Sequence, residues 1–293
     1  TVIYENGFRH LHPADIIRLK NGDILMMTRE GFEHYSSDGD IVMLRSKDGG
    51  KTWGDKQIIG AESADERQGC AVQMADGTIV MGVFYNDLYH VDGTYGTYFN
   101  WKTQKIEPRK SDPGKRYLGA YIITSEDNGH TWSKPKYVDT KDMPFKNLEG
   151  PTDAPVLLSD GSLLMGVIAY SPFGQVGNRA SVMLRSEDKG TTWKYLSTMA
   201  SDPGDKLGGF MEPGIVRTKT GRIVTVMRNH GPDQALHSTY SDDDGKTWAP
   251  VQKTSMVGHP ADLIQLSDGR VMVSYGIRTG PHAKPGGIRA CFS

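Results

Sequence analysis

The chain has 293 residues, 37% hydrophobic and 24% charged, with a formal net charge of −1. This balance suits a folded globular protein and excludes a disordered one, and it leaves no whole-molecule field to draw nucleic acid or an anionic membrane. No apolar run approaches the roughly 18 residues of a membrane-spanning helix, so no membrane span is expected. Cys70 and Cys291 are too few for a disulfide framework and are expected as small buried hydrophobes in strands.

In chain order, the first clear pattern is an apolar run at Ile16-Ile17 and Leu19, an Asn21-Gly22 turn, and a second run at Ile24–Met27. Asn-Gly or Asp-Gly between two apolar runs is a strong hairpin signal. A third run, Ile41–Leu44, leads into Ser46–Trp53, and Gln57–Ile59 follows as a fourth. The same order recurs. Ala71–Met74, Asp76-Gly77 and Ile79–Met81 precede Ala120–Ile123 and the octapeptide Ser125–Trp132. Val156–Leu158, Asp160-Gly161 and Leu163–Met165 precede Val182–Leu184 and Ser186–Trp193. Ile215-Val216, Thr220-Gly221 and Ile223–Met227 precede Leu236–Tyr240 and Ser241–Trp248. A fifth start is Leu263–Leu266, Asp268-Gly269 and Val271–Val273.

The four octapeptides share S-x-D-x-G-x-T-W and hold four of the five tryptophans. Ser and Asp accept hydrogen bonds from nearby backbone N–H groups, Gly supplies positive φ, Thr favours re-entry into a strand, and Trp buries apolar area. A carboxylate recurring in every repeat reads as a turn rather than as a catalytic or calcium-binding group. Near-continuous apolar runs imply strands covered on both faces. Four-stranded units repeating about every 50 to 60 residues imply a β-propeller without helices.

Residues 85–116 exceed the repeat length and carry Tyr89, Tyr95, Tyr98, Phe99 and Trp101, then a basic stretch from Lys105 to Lys115. This insertion is either a sugar-stacking loop or a two-stranded extension packed on its own aromatics. Five repeat starts accompany four complete octapeptides, and Ser293 stands where a fifth would begin. The segment Thr1–Tyr4 is a candidate partner strand for the last blade. The nine histidines show no H-x-x-x-H spacing and no Cys pairing, so neither a metal site nor a cofactor is expected.

The boxes, their phase with the hairpins and the blade size resemble the sialidase (neuraminidase) superfamily, bacterial glycoside hydrolase family 33 in particular. The resemblance implies an all-β, six-bladed propeller of four-stranded antiparallel blades, with residues 1–293 as one domain, five blades visible and the last one cut short. It implies an exo-acting retaining hydrolase that removes terminal sialic acid or a related acidic sugar, in a secreted or periplasmic, bacterial-like setting. Such enzymes use an arginine triad for the sugar carboxylate, a Tyr nucleophile, a Glu that activates it, and an acid/base Asp. A neutral Tyr avoids the repulsion an anionic nucleophile would meet beside that carboxylate. Its pKa near 10 calls for a neighbouring base, and the arginine fork suits a carboxylate.

By this resemblance Phe210-Met211-Glu212-Pro213 supplies the activating Glu212, and Met227-Arg228-Asn229-His230 the second triad arginine, Arg228. Arg278 or Arg289 supplies another, with Arg278 preferred. In the first blade the motif departs from the family, with Arg9 as substitute and His12 nearer the expected position. Arg29 resembles the arginine after the first hairpin; Arg67, beside Glu66, adds a cation. The acid/base falls to Asp38, which has the right chemistry, or to His34, which stands closer to the expected place. Tyr275 is the fallback nucleophile. Asp15, Asp153 and Asp262 begin inner strands and face the axis or cap turns. The departure in the first blade also admits a non-catalytic Asp-box propeller that binds glycans or proteins.

Overall fold

The computed structural model describes residues 2–32, 34, 38–54, 56–60, 65–86, 94–100, 105–110, 118–145, 147–170, 179–203, 206–277 and 286–293. Its chain divides into two compact units, Thr1–Val138 with Glu149–Pro151, and Asp139–Leu148 with Thr152–Ser293. Among the described residues there is no helix.

In the first unit, β1 (His10–Arg18), β2 (Ile24–Gly31), β3 (Asp40–Ser46) and β4 (Gln57–Ile59) form one antiparallel sheet in chain order. Next come β5 (Asp65–Gln73) and β6 (Ile79–Asn86). The inserted stretch holds a separate two-stranded sheet, β7 (Thr94–Asn100) with β8 (Lys105–Lys110). With β9 (Leu118–Ser125) and β10 (Lys136–Tyr137), β5 and β6 build the second sheet in the order β10-β9-β6-β5. The aromatic side chains of the insertion, Tyr89 and Trp101 among them, lie outside the described residues.

Apart from Glu149, the third sheet lies in the second unit: β11 (Asn147–Glu149), β12 (Val156–Leu157), β13 (Leu163–Tyr170), β14 (Arg179–Ser186) and β15 (Lys194–Ala200), with β12 paired to β13. The fourth is β16 (Phe210–Arg217), β17 (Ile223–Asn229), β18 (Ala235–Ser241) and β19 (Gln252–Val257) in chain order. The fifth has three strands, β20 (Ala261–Gln265), β21 (Val271–Ile277) and β22 (Gly287–Phe292). Among the described residues these sheets make five β-propeller blades, where the resemblance implies six. No strand forms over Val2–Tyr4; instead the Tyr4 hydroxyl bonds Glu30 in the first blade.

The second-strand runs of the first and fourth blades, β2 and β17, are covered on both faces, whereas β1 and β20 alternate and leave Ile16 and Ile264 exposed. Leu25, Met27, Ile41 and Met43 of the first blade pack with Ile79, Met81, Val83 and Tyr121 of the second. Met183, Leu164, Phe210, Ile215 and Met227 do the same between the third and fourth, and Val226, Leu236, Leu263 and Val273 between the fourth and fifth. Each such side chain stabilises the fold by roughly 1.5–3 kcal/mol relative to exposure. Two half-buried carboxylates stitch neighbouring blades: Asp15 Oδ2 accepts from the Ala71 N–H at 2.9 Å, and Asp153 Oδ2 from the Ile215 N–H at 2.5 Å.

The boxes are turns, as expected. Ser186 Oγ accepts from the Gly190 N–H at 2.8 Å and donates to Asp188 Oδ1, which accepts from the Thr192 N–H, also at 2.8 Å. Thr192 Oγ1 donates to the other carboxylate oxygen at 2.6 Å. The other three boxes repeat the pattern. Hydrogen bonds to the carboxylates of Asp48 and Asp127 hold their pKa values well below the ordinary range. A non-glycine residue precedes the glycine at positive φ in three boxes (Asn128, Lys189, Asp244). Cys70 is buried on β5 and Cys291 half-buried on β22; neither is in a disulfide.

Candidate functional site

Three inner strands carry a bulge near their N-terminal ends. On β1 the register against β2 shifts between Leu11 and Ala14, so His12 and Pro13 together face Arg29. On β5 the shift falls between Glu66 and Gln68, at Arg67. On β16 it falls between Met211 and Gly214, at Glu212 and Pro213. A bulge re-aims a side chain out of the alternation of a regular strand. The three re-aimed residues are an imidazole, a guanidinium and a carboxylate.

In the first unit these positions build a chain of polar groups that is buried at Arg29, Asp65 and Arg67, half-buried at His12 and His34 and exposed at His10. Arg29, fully buried at the end of β2, grips Asp65 Oδ1 with Nε at 2.8 Å and Nη2 at 2.7 Å. Gly39 makes room for this pair, since a Cβ there would stand 2.0 Å from Asp65 Oδ1. Arg67 Nη1 lies 3.4 Å from Asp65 Oδ2, and its Nη2 reaches His34 Nε2 at 3.3 Å. His34 Nδ1 meets His12 Nε2 at 2.6 Å, and the His10 ring stands edge-on to His12 with centroids 4.5 Å apart. Burial, then the charge of Arg67, pushes the His12 pKa down to about 3; burial, then Arg29 and Arg67, lowers that of His10.

Beside this chain an open cleft of about 460 Å³ is lined by Asn6, Phe8, Arg9, Glu30, Asp38 and Asp40. Arg9 Nη1 pairs with Asp38 Oδ2, its Nη2 donates to the Asp38 carbonyl at 3.0 Å, and its Nε lies 3.5 Å from Glu30. Burial alone would raise the Glu30 pKa. Hydrogen bonds from Tyr4 and Lys56, with the charges of Lys56 and Arg9, outweigh it and hold the carboxyl low. Burial raises the pKa of Asp40. Glu66, fully buried, bonds the Tyr121 hydroxyl and accepts from the Ile41 N–H at 3.0 Å, which makes it a core group closed to substrate.

In the second unit Glu212 holds a backbone φ of +47°, a conformation costly for any residue with a Cβ. Arg228, across the hairpin on β17, points one nitrogen at both its carboxylate oxygens, at 3.0 and 3.1 Å. Both side chains keep about a fifth of their surface open, 23% for Glu212 and 20% for Arg228. The Nε of Arg228 is buried without a hydrogen-bond partner among the described residues. Tyr275 on β21 is buried, with its hydroxyl 3.7 Å from Cys291 Sγ; burial and that contact raise its pKa. Arg289 faces Tyr275 across β21 and β22 and is exposed. Arg278 lies outside the described residues.

The structure thus joins Glu212 to Arg228, and Arg67 to His34, as pairs. Arg29, Arg67 and Arg9 do not stand with open forks: Asp65 occupies the first two, and Asp38 and Glu30 the third. His10 and Asp65 carry no role in the sequence reading. The His10-Leu11-His12 alternation is the one signal that points to the first, because positions two apart on a strand share a face.

Residues 96–284 match the family described as BNR repeat-like domain. A curated sialidase of Micromonospora viridifaciens is 25% identical over 92% of this chain and 42% of its own length. One from Paraclostridium sordellii is 24% identical over 71% of this chain and 49% of its own. The chain therefore spans at most about half the length of these relatives. Among solved structures, a Dyadobacter fermentans protein of unknown function shares 28% identity with a TM-score of 0.81, over 99% of this chain and 80% of that one. The NanB sialidase of Streptococcus pneumoniae has a TM-score of 0.67 at 17% identity, over 99% of this chain and 60% of that one, a likeness of fold. Since the family match covers more than half of the chain, the protein belongs to the BNR repeat-like domain family, within the sialidase superfamily.

Proposed function

We propose that the chain is the propeller of an exo-acting, retaining glycoside hydrolase of sialidase type, working on terminal sialic acid or a related acidic sugar. The observation that carries this reading is Glu212: a carboxylate at φ +47° in a bulge, partly open to solvent and held by an arginine on the neighbouring strand. Backbone strain of this kind clusters at active sites and ligand clamps. Relatives named sialidase support the substrate class. In this reading Glu212 takes the proton of a phenolic nucleophile, and Arg228 orients Glu212 and offers charge to the sugar carboxylate. Arg278 or Arg289 is a second carboxylate holder. Asp38 takes the acid/base role. Tyr275 would have to leave Cys291 and lose a raised pKa to act as nucleophile, so its surroundings argue against that assignment. The six-blade count implied by the resemblance belongs to the same proposal.

Hydrolysis of a panel of aryl glycosides of acidic sugars tests the reading. Arg228→Ala is expected to lower kcat/KM on the order of 10²–10³-fold, the usual loss when a charge-stabilising donor is removed, with no loss of fold. Unchanged kcat/KM would remove Arg228 from the site.

A second reading, a propeller that binds glycans or proteins without cleaving them, is favoured by one observation. Arg9, Arg29 and Arg67 are already engaged by Asp38, Glu30 and Asp65, which leaves the first-blade part of a carboxylate-binding triad without an open fork. Glycan-array binding with no turnover on the same panel would establish it.

A further inference from the structure

We propose that His10, His12 and His34 form a binding site for one late first-row divalent cation, with zinc as the natural probe. One ligand nitrogen from each imidazole lies within 4.8 Å of the other two, and the ring centroids are separated by 4.3, 4.5 and 5.5 Å. Zinc bonded to imidazole nitrogens at 2.0–2.1 Å in tetrahedral geometry sets them about 3.3 Å apart. To reach that spacing the His12–His34 pair would open from 2.6 Å and His10 would turn inward from within 4.8 Å. Imidazole is a ligand for zinc, copper, nickel and iron rather than for calcium or magnesium.

The backbone is arranged for the purpose. His10 and His12 alternate on β1, and the bulge turns His12 toward His34 in the loop after β2. His10 is exposed, so a fourth coordination position faces water. The existing hydrogen bonds do not close the cluster as a self-sufficient network. Arg67 can only donate, so His34 Nε2 accepts, His34 Nδ1–H donates to His12 Nε2, and the remaining His12 Nδ1–H, buried, has no well-formed partner among the described residues beyond a contact with its own backbone. A cation takes the place of the proton shared by His12 and His34. That proton moves to His34 Nε2, and Arg67 turns to Asp65 Oδ2, already 3.4 Å away. No proton is lost and no redox step is needed.

The test is equilibrium dialysis of the whole chain against zinc, with metal content measured by mass spectrometry, and cobalt(II) absorption as a signature of geometry. One zinc per chain at micromolar free metal is expected, together with the intense visible bands of tetrahedral cobalt. His10→Asn and His12→Gln should each weaken binding at least tenfold. The exposed His10 variant decides if the His12 variant fails to fold, as judged by its melting curve. Substoichiometric zinc, or binding unchanged in His10→Asn, overturns the site. Neither readout involves hydrolysis, so the glycosidase proposal stands or falls separately.

Discussion

Glu212 is the residue where sequence pattern, backbone and chemistry meet. Its motif was legible because Glu212 and Arg228 sit on adjacent strands of one hairpin, so strand pairing alone brings them together. Its strain was not, because positive φ at a glutamate depends on the bulge. Glu212→Gly should relieve that strain: the melting temperature is expected to hold or rise while activity falls to background, and a marked drop in Tm would show the conformation costs nothing there. Arg29 and Arg67 read as substrate-binding arginines in sequence, yet both end on Asp65, 36 and 2 positions away in the chain. The Arg29 contact bridges two blades. Nothing in local spacing foretells it, and the same holds for His34 meeting His12 across 22 positions.

At the scale of the element, hairpins and boxes followed their residues closely. Gly22, Gly77, Gly161, Gly221 and Gly269 take positive φ, as an x-Gly turn between apolar runs requires. The predicted third strands coincide with β3, β9, β14 and β18, and Gln57–Ile59 is β4. Such signals are local and repeat with the blade, which is why they survive without tertiary information. Ser186, 1% exposed, holds the third box together by accepting the Gly190 N–H and donating to Asp188. Ser186→Ala leaves that buried N–H unsatisfied, at a cost of about 1–3 kcal/mol. Urea unfolding should show a lower midpoint with an unchanged slope; a shift under about 0.5 kcal/mol, the size of an ordinary surface substitution, would mean the turn is held by Asp188 alone.

For the molecule as a whole, acid sensitivity follows from its histidines. His237, buried against Phe210, has its pKa lowered by burial, a change only partly offset by its bond to the Ala235 carbonyl. The unfolded chain therefore binds a proton near pH 6.5 that the folded chain refuses, and stability declines as pH falls below that value. His12, with its pKa near 3, adds to the same trend. Asp243, lowered to about 2 by bonds to Thr247 and Ser241 that outweigh burial, contributes stability lost only at lower pH still. In His237→Gln the fall in Tm between pH 7 and 4 should be shallower than in the wild type; an equal slope would place the effect elsewhere. The five blades and the family are legible in repeats, whereas the identity of the sugar depends on groups brought together from distant segments.

The most direct measurement compares wild type and Glu212→Gln on a fluorogenic sialoside and its acidic-sugar analogues, with melting curves alongside. Hydrolysis by the wild type and a loss on the order of 10²-fold or more in the variant, at unchanged Tm, is the expected result. Turnover of no acidic glycoside by the wild type, or full activity in Glu212→Gln, would contradict it.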